Sequence, residues 1–134
     1  MALVPVPLYA ASKAAISSFT RSLAPLEQVF NIRVNAVAPA IVQTPIWTPD
    51  KLLMVDREKD SWIKPQRIAE MMLELVEKEE YVGGTVLEVG LERNRLVERL
   101  NDPGPPAEEK GHTVSKIMDV VQNTFALIES QFGK

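Results

Sequence analysis

Tyr9 and Lys13 are the residues whose types and spacing could do acid–base chemistry in this chain. On a helix, a separation of four puts them on one face with Cβ atoms about 5–6 Å apart. A free tyrosine has a pKa near ~10 and is a poor acid or base at neutral pH. An ammonium within about 4–6 Å favours the phenolate. Bringing the value down to ~7 takes roughly 4 kcal/mol of differential stabilisation. Such a pair can pass a proton to or from a hydroxyl or carbonyl oxygen. The plainer alternative is a tyrosine packed at a helix start beside a solvated lysine.

Few other chemistries have material to work with. The chain has no cysteine, which excludes disulfides, thiolate metal sites and thiol catalysis. Its one histidine, His112, leaves little for a histidine-based metal site or a Ser-His-Asp triad. No metal site is expected, and Glu77 to Glu80 reads as an exposed, charged helix end opposing the helix macrodipole. The formal net charge is -3 and no basic stripe stands out, so no nucleic-acid partner is expected. No apolar run approaches the ~20 residues that cross a bilayer. Met1 to Leu8 is apolar but short and lacks a basic flank, so it does not read as a signal peptide, and the expected compartment is the cytoplasm.

The elements that must position the pair follow from periodicity. Residues 10 to 30 read as a helix with Ala10, Ala11, Ala14, Ala15, Ile16, Phe19, Leu23, Leu26 and Phe30 on its apolar face, kinked or broken at Pro25. Ile32 to Ala38 reads as a strand, apolar enough to be covered on both faces. Residues 39 to 64, with Pro39, Pro45, Pro49, Trp47 and Trp62, read as a loop holding a short helix near Lys51 to Val55. Pro65 opens a helix on which Ile68, Met71, Met72, Leu75 and Val76 fall at core spacing. Gly83-Gly84 makes a turn, and Thr85 to Val89 is a second strand. Asp102-Pro103-Gly104-Pro105-Pro106 reads as a linker. Beyond it Val114, Ile117, Met118, Val121, Phe125, Ile128 and Phe132 form the stripe of an amphipathic helix, with Thr113 or Ser115 as its cap. Two strands make a poor sheet alone, and their edges would be open to another chain.

The string Tyr9-Ala10-Ala11-Ser12-Lys13 resembles the Tyr-x-Ala-Ser-Lys signature of classical short-chain dehydrogenases. The helix length, Asn31-Ile32-Arg33-Val34-Asn35-Ala36-Val37-Ala38-Pro39 and the later Gly-Gly-strand come in that family's order. The resemblance covers residues 1 to about 92. It extends toward a hydroxyprostaglandin-dehydrogenase-like branch through Thr44-Pro45-Ile46-Trp47, Gly83 to Gly90 and Asn101 to Pro105. The fold implied is α/β and truncated Rossmann-like: the C-terminal helices and last two strands of a doubly wound parallel sheet, plus a C-terminal helix. Residues 1–92 would be the C-terminal half of that fold, and 93–134 the linker and amphipathic helix.

The resemblance also implies roles. Tyr9 would be the general acid/base, and Lys13 would favour its phenolate and bond the nicotinamide ribose of NAD or NADP. Pro39, Ile41 and Val42 would line the nicotinamide, and Thr44 would contact its carboxamide or the diphosphate. Pro45 to Lys64 would be a substrate lid walled by Trp47 and Trp62, for which ordinary burial is the plainer role. Asn35 would be structural, and Ala40 stands where the family usually has glycine. The family's Thr-Gly-x-x-x-Gly-x-Gly turn, which holds the diphosphate at a helix start, does not occur in the sequence. Gly83-Gly84 precedes a strand and is no substitute. The family's catalytic serine stands well upstream of its tyrosine, and eight residues precede Tyr9. The expectation is therefore a chain lacking the dinucleotide-gripping half.

Three functions stay open. One is hydride exchange between a nicotinamide cofactor and a secondary alcohol or ketone, as in a biosynthetic pathway. A second is a cofactor-independent isomerase, dehydratase or cyclase using the same pair. A third is a non-catalytic interaction module. The partners expected are a small-molecule substrate and either a second copy of the chain or another short-chain dehydrogenase chain.

Overall fold

A computed structural model of the protein describes residues 6–53, 55–56, 60–99 and 117–132. The chain divides into two units, Met1–Arg99 and Leu100–Lys134. In the first, helix α1 (Pro7–Ser22) carries a proline in its first turn, where a missing N–H costs nothing. The chain tightens at Leu23 and Ala24, whose amides donate to Thr20 and Arg21 carbonyls, and α2 (Pro25–Phe30) restarts on Pro25. Asn31 ends α2 in the left-handed conformation at φ 55, which asparagine tolerates better than most residues.

Strands β1 (Ala36–Pro39) and β2 (Val86–Val89) pair in parallel, Ala36 opposite Val86 through Pro39 opposite Val89. β1 starts later than the apolar run beginning at Ile32 suggests. The lead-in is held by side chains: Arg33 donates to the Val76 and Lys78 carbonyls, and Asn35 bridges the Tyr81 carbonyl and the Thr85 amide. Within β1, the amides of Ala36 and, just beyond, Ala40 donate to β2-side carbonyls of Thr85 and Val89. Val37 and Pro39, out of phase with them, turn their backbone groups to the outer edge, where a proline breaks no existing ladder bond.

The sheet has a third strand that periodicity does not announce. β3 (Asn94–Leu96) runs antiparallel to β2, so the order is β1-β2-β3. Its Asn-Arg-Leu sequence is exposed throughout and offers no apolar alternation. Backbone pairing and polar ties hold it: Arg95 forks onto the Glu88 carboxylate at 2.8 Å, and Arg67 donates to the Gly90 carbonyl and Asn94 Oδ1.

Helix α4 (Pro65–Glu77) supplies the core. Ile68, Met71 and Leu75 meet Ile63, Leu87 and Val89, with Val37, Val42 and Tyr81 packed alongside. Val86 alternates to the opposite face and is buried outside that cluster. No residue of α1 belongs to the cluster; α1 meets β2, and its last turn lies beside Gly84. Of the apolar face predicted for α1, little is covered: Thr20 is the helix's buried residue, and Ile16 and Phe19 are 57% and 61% exposed, as is Leu8 ahead of that face at 85%.

Between β1 and α4 the chain makes a long excursion pinned at its neck. Val42 bridges Ile63, the Ile63 amide donates to the Ile41 carbonyl, and the Gln43 amide donates to the Ile63 carbonyl. One short helix, α3 (Pro49–Leu52), sits in it, slightly earlier than the spacing predicts. In the second unit, α5 (Ile117–Phe132) has Val121, Phe125 and Ile128 half-buried in one row, with Met118 and Leu127 exposed. The linker at 102–106, the Asn101 to Pro105 string, His112, Thr113, Val114, Ser115 and the side chains of Ile117 and Phe132 lie outside the described residues. No helix among the described residues is long and apolar enough to cross a membrane.

Candidate active site

Tyr9 and Lys13 both sit in the first half of α1, and the structure brings them together. The Lys13 ammonium lies 5.3 Å from the centroid of the Tyr9 ring. Tyr9 is 56% exposed and Lys13 is exposed, so the pair faces open space. At an exposed site a cation over an aromatic face is worth about 0.5–1 kcal/mol, enough to hold the lysine near the ring. Nearby hydroxyls are already engaged: Ser12 Oγ donates to the Tyr9 carbonyl at 2.7 Å, and Ser17 Oγ to the Lys13 carbonyl at 3.3 Å. Both are back-bonded to their own helix, as serines in helix interiors commonly are.

The other predicted residues gather at the end of β1 and in the loop beyond it. Pro39 and Ala40 are exposed, and Ile41, Val42 and Thr44 are half-buried. Ala40 takes no left-handed backbone; among the described residues Asn31 is the non-glycine that does. The Ala40 amide donates to the Val89 carbonyl, so alanine serves in this turn.

Trp47 and Trp62 meet edge to face, their centroids 5.0 Å apart and their planes at 86°. Trp47 Nε1–H donates to the Val42 carbonyl at 2.9 Å, tying the loop back to its neck. The two indoles, with Gln43, Thr44, Leu52 and Val55, line a cleft of about 470 Å3, within the usual range for small-molecule sites. Neither Tyr9 nor Lys13 lines it. Of the predicted residues, Thr44, Trp47 and Trp62 line the cleft, Pro39, Ile41 and Val42 lie ahead of it along the chain, and the Tyr9–Lys13 pair stands apart on α1. Gln43, Leu52 and Val55 were not singled out from sequence; Gln43 adjoins Thr44, and Leu52 and Val55 sit three apart in the predicted short helix. A larger groove of about 630 Å3 lies between β1 and α4, lined by Val37, Met72 and Leu75 among others, and holds none of the predicted site residues.

Groups suited to the nicotinamide end of a dinucleotide are present: the Lys13 ammonium, the Thr44 hydroxyl and the Ile41 amide, for which no described residue acts as acceptor. The Gly-Gly turn does not suit the phosphates. The Gly83 amide already takes the Glu27 carboxylate at 2.6 Å, and Gly84 is pressed against Ala24. Among the described residues no cluster of acidic or histidine side chains could hold a metal ion.

Residues 1–52 match the short chain dehydrogenase family. A stretch of 53 residues is 45% identical to the short-chain dehydrogenase/reductase prx6 of Penicillium rubens, covering 39% of this chain and 18% of that protein. The chain therefore matches less than a fifth of the length of that relative. Both findings support a short-chain dehydrogenase segment carrying α1, β1 and the start of the loop. The match includes Tyr9, Lys13, Pro39, Ile41, Val42, Thr44 and Trp47; Trp62 lies beyond the family match.

Proposed function

We propose that this chain carries the proton-handling part of a short-chain dehydrogenase acting on a secondary alcohol or ketone in a biosynthetic pathway. The observation that carries the reading is the Lys13 ammonium held over the Tyr9 ring inside the matched segment. A bound NAD or NADP would supply or accept the hydride. Tyr9 takes the hydroxyl proton during oxidation and returns it to the carbonyl oxygen during reduction. Lys13 would hold the ribose of a bound cofactor and place its positive charge beside Tyr9, while Ile41 and Thr44 would offer an amide and a hydroxyl to the carboxamide. Pro39 and Val42 would wall that end, and the tryptophan cleft would receive the part of the substrate away from Tyr9. The strings around Thr44 and Gly83 support placement in the hydroxyprostaglandin-dehydrogenase-like branch.

A second reading has its own support. Lys13 makes no ion pair with a described carboxylate, so its charge is free to polarise a carbonyl without any hydride donor. This is the basis for a cofactor-independent isomerase, dehydratase or cyclase. We further propose that the open apolar face of α1 pairs with a second copy of the chain or with another short-chain dehydrogenase.

Titration with NADH and NADPH, followed by cofactor fluorescence, combined with turnover assays separates these readings. Saturable binding, with Tyr9→Phe lowering kcat about 10²–10⁴-fold, supports the dehydrogenase. Turnover that is independent of cofactor and lost in Tyr9→Phe favours the second reading. Full activity in Tyr9→Phe overturns both.

A further inference from the structure

The tryptophan cleft has a shape and chemistry that select among substrates. From these we infer that it binds a neutral molecule with a flat, conjugated ring and a hydroxyl or carbonyl group. The inference rests on the proposed function only for calling that molecule a substrate.

Two indoles at 86°, 5.0 Å apart, form a corner with aromatic walls. Both are half-buried, so each keeps surface not packed against the protein. Aromatic rings favour offset-stacked and edge-to-face contacts. Because the walls are perpendicular, a flat ring stacked on one indole turns its edge toward the face of the other. A single planar ring then satisfies both preferences, whereas a puckered saturated ring of the same size satisfies neither. Leu52 and Val55 extend the apolar lining.

The polar lining sets the rest. None of the six lining side chains is ionisable, so among the described residues the lining offers nothing to pair with a ligand charge. The Trp47 N–H is committed to the Val42 carbonyl. The Trp62 N–H, the Thr44 hydroxyl and the side-chain carboxamide of Gln43 make no hydrogen bond to a described side chain or backbone group. They leave donors and acceptors for one oxygen function on the ring or beside it.

The protein has two tryptophans, and both line this cleft, so intrinsic fluorescence reports on it directly. The test titrates the full chain with α-methylbenzyl alcohol, with its saturated counterpart α-methylcyclohexanemethanol, and with benzoate. Excitation is at the red edge of indole absorption, where the benzene ring does not absorb. The expected result is a saturable change with the benzyl alcohol, about tenfold tighter than with the cyclohexyl alcohol, and no comparable binding of benzoate. Trp62→Leu should erase the preference while Trp62→Phe retains most of it. Equal binding of the two alcohols, tighter binding of benzoate, or no saturable change overturns the inference. Tyr9→Phe should bind the benzyl alcohol like the unaltered chain. If it also turns substrate over at full rate, the catalytic reading fails while the cleft assignment stands.

Discussion

Gly84 shows how a single atom can be excluded by a distant neighbour. It sits at φ +86, and a Cβ there would lie 2.7 Å from the Ala24 Cβ. Gly84→Ala therefore combines a left-handed alanine with an overpacked helix contact, and we expect it to cost about 2–4 kcal/mol. The check is urea unfolding, with a lower midpoint at unchanged slope. The sequence marked Gly83-Gly84 as a turn, but its reason lies at Ala24, far back in the chain, which no local pattern reports. Tyr9 and Lys13 were legible because helical spacing alone brings them together. The Trp47–Trp62 contact was harder to foresee: each tryptophan could be named, but their right-angled meeting depends on the Val42–Ile63 bridge closing the loop.

At the scale of elements, α4 was legible from its apolar period, while its stopping point needed a partner from elsewhere. Arg33, just ahead of β1, donates to the Val76 and Lys78 carbonyls at the end of the helix and to the Tyr81 carbonyl in the turn beyond it. A cation placed there satisfies orphan carbonyls and complements the helix dipole. The acidic run expected to oppose that dipole is thus answered, and Lys78 is drawn in as well: its bond to Glu74 holds the ammonium above its ordinary pKa. Arg33→Met should destabilise the protein by about 1–2 kcal/mol and speed amide exchange in the last turn of α4 more than in its first. Unaltered exchange there would show that the carbonyls find solvent equally well. β3 stayed hidden because a three-residue edge strand held by backbone pairing and Arg–carboxylate contacts leaves no hydrophobic signature.

At the scale of the whole molecule, α1 has an apolar stripe that the other described residues of its own unit leave uncovered. Leu8, Ile16 and Phe19 are exposed on a helix whose alanines would permit close approach. Light scattering at micromolar concentration should return a dimer or larger assembly, and Ile16→Glu with Phe19→Glu should shift it toward monomer. A clean monomer of the unaltered chain would count against pairing through this face. Periodicity revealed the stripe but could not say whether it was covered, since that depends on which surfaces fold against it.

Pro39 has a consequence for self-association of another kind. The outer side of β1 can donate a hydrogen bond from the Val37 amide, but the next outward-facing position has no N–H to give. A strand docking along that side loses a rung at the end nearest the loop, which hinders the continuous stacking that amyloid requires. The ring that closes β1 beside the candidate site thereby also guards against fibril growth.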